Sequence, residues 1–349
     1  MPTIPEITVR SCDKPMPIVG MGTSPYPPVD LETAKSAILE AIKVGYRHFD
    51  TAFAYNTEEH LAAAIPEALR LGLINSRDEL FITTKLFGIF AVRDQVVPAI
   101  KMSLEKLELD YVDMYMIHMP LRLSPMMNGA PVPREYILPF DIQSVWEGME
   151  ECQNLGLAKA IGVSNFSRKK LEELLSNAKI PPAVNQVRSN CIGKFRDVLK
   201  ISLFDSCLVF GFCFFAGFKV EMNPLWQQKE LREFCKGHGI HVTAYSPLGA
   251  NGTTWGDNRI FECNVLKKIA KAKGKTTAQV SLRWVYEQGV SLLVKSNNKE
   301  RMKENLLIFD WSLTEEEALE ISRLPQCKGF TFASIFGAHD VVLELDAGI

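Results

Sequence analysis

Eight short apolar runs of strand length recur along the chain, and most are followed by a stretch with helical spacing. The first, Pro17 to Thr23, precedes Leu31 to Val44, where Leu31, Ala34, Ala37, Ile38, Ala41 and Ile42 form one apolar stripe that Gly45 ends. Strand Tyr46–Asp50 precedes helix Glu58–Leu71, Leu80–Lys85 precedes Gln95–Leu107, and Tyr111–His118 precedes Gln143–Leu155. Strand Ala160–Ser164 is followed by helix Arg168–Ser176, then by strand Ala183–Val187. Helix Gln227–Lys236 leads to strand His241–Ser246, and strand Ser291–Lys295 to helix Glu300–Leu306. Thr276 with Gln279, and Thr314 with Glu317, read as capping boxes of two further helices. This alternation implies a parallel sheet. Eight units in 349 residues predict a closed (β/α)8 TIM barrel as a single domain, with a doubly wound open sheet as the competing architecture. The run GMGTSP in the first strand is no dinucleotide fingerprint, because Pro25 takes its sixth position and no helix follows directly.

A barrel of this kind builds its active site from the loops after its strands. The polar residues there include Asp50, Tyr55, Lys85, His118, Ser164, Asn165, Gln186, Tyr245, Ser246, Lys295 and Ser296. They offer neither a persuasive Ser-His-acid order nor paired carboxylates. They do offer a phenol, an ammonium, a carboxylate and an imidazole. A phenol titrates near ~10, so it donates a proton poorly unless a cation lowers that value. Lys85 is the candidate cation, held by Asp50, and His118 is placed to polarise a carbonyl oxygen. Hydride addition to a C=O needs such a proton source at the oxygen.

The segments GYRHFDTAFAY, FITTKL, VDMYMIHMP, IGVSNF, PAVNQV, EMNPLWQQKELREFC, VTAYSPLG and KSNNKERMKEN together resemble the aldo-keto reductases, most of all their plant branch. The resemblance implies an NADPH-dependent reduction of an aldehyde or ketone, with a uronic acid such as D-galacturonate among the substrates. It implies a tetrad of Asp50, Tyr55 as general acid, Lys85 and His118. Ser164, Asn165 and Gln186 would hold the nicotinamide amide, with Tyr245 stacked on the ring and Gly22 and Thr23 beneath it. Ser246, Leu248 and Ala250 would meet the pyrophosphate, and Lys295, Ser296, Arg301, Glu304 and Asn305 the adenosine end. Lys295 and Arg301 near a 2′-phosphate favour NADPH over NADH. Tyr26, Phe53, Phe87, His118 and Met119 would line the substrate pocket, with Met126 and Trp255 as further candidates. Arg122 and Arg134 could meet a substrate carboxylate or simply be solvated.

Three departures from that pattern stand out. Phe87 and Met119 occupy positions where the resembled proteins usually carry Trp. Pro66 should kink the helix Glu58–Leu71 or delay its start. Residues 188–220 hold seven of the 20 Phe and three of the eight Cys, and joining Val187 to Glu221 restores the run NQVEMNP. We read them as an insertion after the sixth strand, a translated intron or splice variant. Within it, Ile201 to Phe218 is long enough for a membrane helix, although its place inside a barrel argues instead for a poorly packed flap. The insertion is expected to weaken NADPH binding and to promote aggregation. A catalytically impaired barrel acting as a binding protein is therefore the competing functional reading, and a membrane-tethered one a third.

Composition narrows the partners. Lys plus Arg (39) nearly balance Asp plus Glu (41), which gives no basic field for nucleic acid. Eight Cys without a CxxC pair read as reduced thiols, and six His without metal-ligand spacing predict no metal site. The N-terminus has no apolar signal core. The expectation is a cytoplasmic, monomeric enzyme acting on a small-molecule carbonyl compound.

Overall fold

A computed structural model describes residues 3–24, 28–127, 132–187, 222–249 and 258–326. Eight parallel strands close into a barrel: β1 (Val19–Gly22), β2 (His48–Asp50), β3 (Phe81–Leu86), β4 (Val112–Ile117), β5 (Ala158–Ser164), β6 (Val184–Val187), β7 (His241–Tyr245) and β8 (Ser291–Val294). Each strand pairs with its neighbours in sequence order, and β8 closes on β1 through Leu293 opposite Gly20. The doubly wound alternative is thereby excluded.

Helices α1 (Leu31–Val44), α2 (Glu58–Arg70), α3 (Arg93–Leu107), α4 (Ile142–Asn154), α5 (Arg168–Leu175), α6 (Lys229–Gly237), α7 (Asn264–Lys273), α8 (Thr277–Glu287), α9 (Lys299–Leu306) and α10 (Glu315–Ser322) are among those outside the barrel. Their ends follow the expected signals. Asp30 caps α1 through the Thr33 N–H, and Gly45 stops it at φ 111°. Both expected capping boxes form, at α8 and α10. Helix α2 runs through Pro66 from Glu58, so the delayed start does not occur. The hydrogen bond that Pro66 cannot donate is offset by the buried face Leu61, Ala62, Ala64, Ile65 and Ala68, which packs between α1 and α3.

The barrel's lower end is shut by an antiparallel pair, Glu6–Ile7 with Met16–Pro17. This pair takes Pro17 out of the first barrel strand, which is why β1 is shorter than the sequence suggests. Val9, Cys12 and Met16 pack on Phe81, Ala183 and Val184 at the strand starts. Asp113, fully buried there, accepts from Lys14 at 2.9 Å, Arg77 at 2.8 Å and the Ile82 N–H at 2.8 Å. With that end sealed, the other end is left for chemistry. The proposed insertion, 188–220, lies outside the described residues, and so does the membrane candidate 201–218 within it. Among the described residues, no helix is long and apolar enough to cross a membrane.

Candidate active site

Four strand ends meet at the open mouth. Asp50 ends β2 and Lys85 lies near the end of β3, and both side chains are fully buried. Lys85 Nζ donates to Asp50 Oδ1 at 2.6 Å and to the Thr51 carbonyl at 2.8 Å. Gln186, on β6 across the barrel, donates to the second Asp50 oxygen at 2.9 Å. The carboxylate is therefore bonded through both oxygens, which offsets part of the cost of burying it.

Tyr55 comes from a 3-10 turn, Phe53–Tyr55, five residues beyond Asp50. Its hydroxyl lies 3.3 Å from His118 Nε2, and the two rings meet edge to face at 5.2 Å. Lys85 Nζ is 5.1 Å from the centre of the Tyr55 ring. The four residues singled out by the sequence thus form one cluster.

Its electrostatics differ from the sequence expectation in one respect. Burial, then the Asp50 charge, then Tyr245 push the Tyr55 phenol well above its ordinary value. Burial likewise pulls Lys85 down, against the opposing pull of Asp50 and Glu58. Desolvation thus outweighs the neighbouring ammonium, and the phenol keeps its proton at neutral pH.

A polar rim adjoins the cluster. Asn165, at φ 66°, donates to the His118 carbonyl at 2.6 Å and to Ser164 Oγ at 3.0 Å. Asn tolerates that left-handed backbone, which turns the chain sharply off β5. Ser246 follows β7 at φ 47°, a conformation that costs a non-glycine residue about 1–3 kcal/mol. The turn it begins is pinned by Ser281 Oγ on the Pro247 carbonyl at 2.7 Å, with Leu248 half-buried. A Cβ placed on Gly22 would stand 3.6 Å from the Tyr245 ring, so β1 and β7 bring the two face to face. The Thr23 N–H donates to the Asp50 carbonyl at 2.9 Å.

A cavity of about 160 Å³ lies between Gly22, Thr23, Tyr55 and Lys295 on one side and Ala34, Ala37 and Ile38 of α1 on the other. Lys295 donates to the Ser24 carbonyl, and burial lowers its ammonium to about 8. Arg301, in the first turn of α9, is exposed, and its guanidinium has no partner among the described residues. Ser296 Oγ donates to the Asn298 carbonyl at 3.2 Å. Two cations beside a polar rim suit an anionic cofactor with a flat polar ring. Glu304 accepts from Thr276 through one oxygen at 2.5 Å, and Asn305 is buried beside Tyr46.

The wall beside Tyr55 is apolar. Phe53, Phe87 and Met119 pack with Leu121, Leu123, Val132 and Ile137. Leu121 and Leu123 face that cluster, so strand alternation turns Arg122 to the other side. Arg134 is exposed and donates to the Ile137 carbonyl at 2.8 Å, and Met126 is 78% exposed. Tyr26, Ala250 and Trp255 lie outside the described residues. Sequence reasoning missed Thr51, Thr57, Glu58 and Thr84, four buried groups within three residues of the cluster. The one signal was position: each directly follows or precedes a tetrad residue or lies just beyond it.

A family model described as the aldo/keto reductase family matches residues 18–216 and 211–325. The chain is 56% identical over 349 residues to a D-galacturonate reductase of Fragaria ananassa, covering 99% of each chain. It is 50% identical over 325 residues to an NADPH-dependent codeinone reductase of Papaver somniferum, covering 93% of this chain and 91% of that one. A Bombyx mori aldo-keto reductase solved in complex with NADP superposes with a TM-score of 0.75 at 34% identity, covering 93% of both chains. With its barrel, its strand-end cluster and these likenesses, the chain belongs to the aldo/keto reductase family.

Proposed function

We propose that the protein is an NADPH-dependent reductase that converts an aldehyde or ketone to an alcohol. The observation that carries this reading is the Tyr55 hydroxyl at 3.3 Å from His118 Nε2, in front of the buried Lys85–Asp50 pair. Lys295 and Arg301 are the residues that would hold the 2′-phosphate, and Ser164, Asn165, Gln186 and Tyr245 the nicotinamide. The names of two similar proteins, one NADPH-dependent and one in complex with NADP, support that choice of cofactor.

Bound NADPH supplies a hydride to the carbonyl carbon. The chain's own residues handle the oxygen. His118 orients it, and Tyr55 keeps a proton ready on its hydroxyl. Burial disfavours an alkoxide in this site as it does a phenolate, so the phenol remains the stronger acid of the two. Tyr55 therefore gives up its proton as the carbonyl oxygen becomes alkoxide-like. Lys85, held by Asp50 and the Thr51 carbonyl, steadies the phenolate that remains.

Tyr55→Phe should lower kcat by at least about 100-fold, with the NADPH affinity from fluorescence quenching unchanged. Retained turnover would overturn the assigned acid. NADPH quenching without turnover of any carbonyl compound would favour the impaired-barrel reading instead.

Two substrate classes remain in competition. Likeness to a D-galacturonate reductase supports a uronate. The apolar wall of Phe53, Phe87, Met119, Leu121 and Leu123 favours a larger apolar ketone or aldehyde. Comparing kcat/KM for D-galacturonate with that for an aromatic aldehyde of similar size separates them.

A further inference from the structure

Tyr55 is held in place by the residues that follow it. Thr57 stands at the N-cap of α2, yet its side chain makes no capping bond. Its hydroxyl is spent on Thr23 Oγ1 at 3.0 Å and Thr51 Oγ1 at 3.2 Å. A missing cap destabilises a helix, so α2 gives up stability to hold the ends of β1 and β2. Glu58, the next residue, is 1% exposed and accepts from Thr84 Oγ1 at 2.7 Å. Thr51 directly follows Asp50, and Thr84 directly precedes Lys85. The Tyr55 segment is thus stapled to both members of the ion pair, each time through a threonine one residue away. Alternation along β3 puts Thr84 on the helix side and Lys85 inside the barrel, so Glu58 stands behind the strand that carries the ammonium.

We propose that Glu58 is a positioning residue for the Tyr55 proton transfer: it clamps the Tyr55 segment to the Lys85 strand and stands as a second carboxylate, after Asp50, behind that strand. The proposal rests on the reading of Tyr55 as the acid. The groups facing Glu58 come from several elements: Thr84 and Lys85 on β3, Ser103 and Lys106 on α3, Tyr115 on β4 and Glu59 on its own helix. Burial raises its carboxyl to about 7, against the Thr84 and Ser103 hydroxyls and the Lys106 ammonium, which draw it down. Its charge therefore appears near neutrality and is felt at Lys85, whose ammonium it favours.

The test is the pH profile of kcat for reduction of an aromatic aldehyde by the full chain, compared with Glu58→Gln and Thr84→Val. The Gln amide oxygen can still accept from Thr84 but carries no charge. Glu58→Gln should match the wild-type kcat within about twofold well below pH 7, where the wild-type carboxyl is also neutral. Its alkaline limb should move down by roughly one pH unit, with the KM for NADPH unchanged. Thr84→Val cuts the clamp and leaves the carboxylate, so its kcat should fall about tenfold at every pH. An active wild type, with a Glu58→Gln profile that superimposes on it or is lowered equally at all pH, overturns the charge role. Should Glu58→Gln not fold, wild-type kcat in Thr84→Val overturns the proposal by itself. A wild type with no reductase activity overturns the reading of the site beneath it.

Discussion

The Met222 N–H donates to the Tyr245 carbonyl at 3.2 Å, the bond that the second residue past Val187 would make in an unbroken strand. Strands β6 and β7 pair Val184 with His241 and Val187 with Ala244, and the His241 N–H donates to the Ala183 carbonyl at 2.9 Å. Parallel ladders bond through every second residue, so the next acceptor on β7 is the Tyr245 carbonyl. Joining Val187 to Glu221 would bring Met222 to that register with no residue missing or spare. The family model also matches in two stretches, 18–216 and 211–325, which overlap inside 188–220. Deleting 188–220 should therefore give a folded, monomeric protein that melts no lower than the full chain, is more soluble and binds NADPH at least as tightly. Size exclusion, a thermal melt and fluorescence titration check this. A deletion variant that fails to fold would refute the register argument. Equal solubility and affinity would show the 33 residues to be harmless.

Neither Asp50 nor Lys85 can be removed alone without cost. Asp50→Asn leaves a buried ammonium with the Thr51 carbonyl and no carboxylate at 2.6 Å. Breaking such a pair costs about 3–5 kcal/mol, and Lys85 should then lose its proton more easily. Urea unfolding should show that loss, and kcat should fall with it. The double variant Asp50→Asn/Lys85→Met should regain part of the stability and none of the activity. If Asp50→Asn unfolds at the wild-type urea concentration, the pair contributes nothing to the fold.

Much of this was legible because barrel chemistry sits at strand ends. Once Asp50, Lys85, His118, Asn165 and Gln186 are placed at the ends of consecutive strands, closure brings them together. The Thr57–Thr51 and Glu58–Thr84 bonds were not legible. They depend on Thr84 turning outward while Lys85 turns inward, and on Thr57 abandoning its cap, neither of which local spacing reveals. The Thr276–Glu304 and Tyr46–Asn305 contacts were likewise not legible, since each joins residues from different elements. The direction of the Tyr55 shift was misjudged because the cation was visible in the sequence, whereas the depth of burial was not.

With Lys295 proposed at the 2′-phosphate, cofactor binding should have a pH dependence of its own. Burial lowers its ammonium to about 8, so above that pH the uncomplexed enzyme carries a neutral amine where a phosphate would need a cation. A bound phosphate pulls the value back up, so binding should take up a proton. The Kd for NADPH should be flat near pH 7, where the 2′-phosphate is ionised and Lys295 charged, and weaken by up to about tenfold per unit above pH 8. Lys295→Arg, whose guanidinium stays charged, should flatten that limb. The same limb in Lys295→Arg would assign it to another group.

Acid stability carries two opposed contributions. His48 bonds to the Pro17 carbonyl at 3.2 Å and to Thr83 Oγ1 at 3.3 Å inside the barrel, and burial lowers it from 6.5 to about 4. His241 is lowered to about 4 by burial and by His48. Between pH 6.5 and 4 the unfolded chain binds protons that these imidazoles refuse. Stability therefore falls as the pH drops, by up to about 3 kcal/mol for each. Glu58 slopes the other way. Its carboxyl is raised from 4.5 to about 7, so the folded state keeps a proton that the unfolded chain loses. That stability is present below pH 4.5 and is lost as the pH rises through 7. In the wild type the two slopes partly cancel, leaving a net acid loss of about 3 kcal/mol from three groups. Glu58→Gln removes the compensating slope, so its stability should drop roughly twice as far between pH 7 and 4, whereas His48→Gln should flatten the curve. Guanidinium unfolding at half-unit steps of pH measures all three proteins. If the Glu58→Gln and wild-type curves run parallel, Glu58 is not titrating in that window, and the neutral carboxyl assigned to it below pH 7 is wrong.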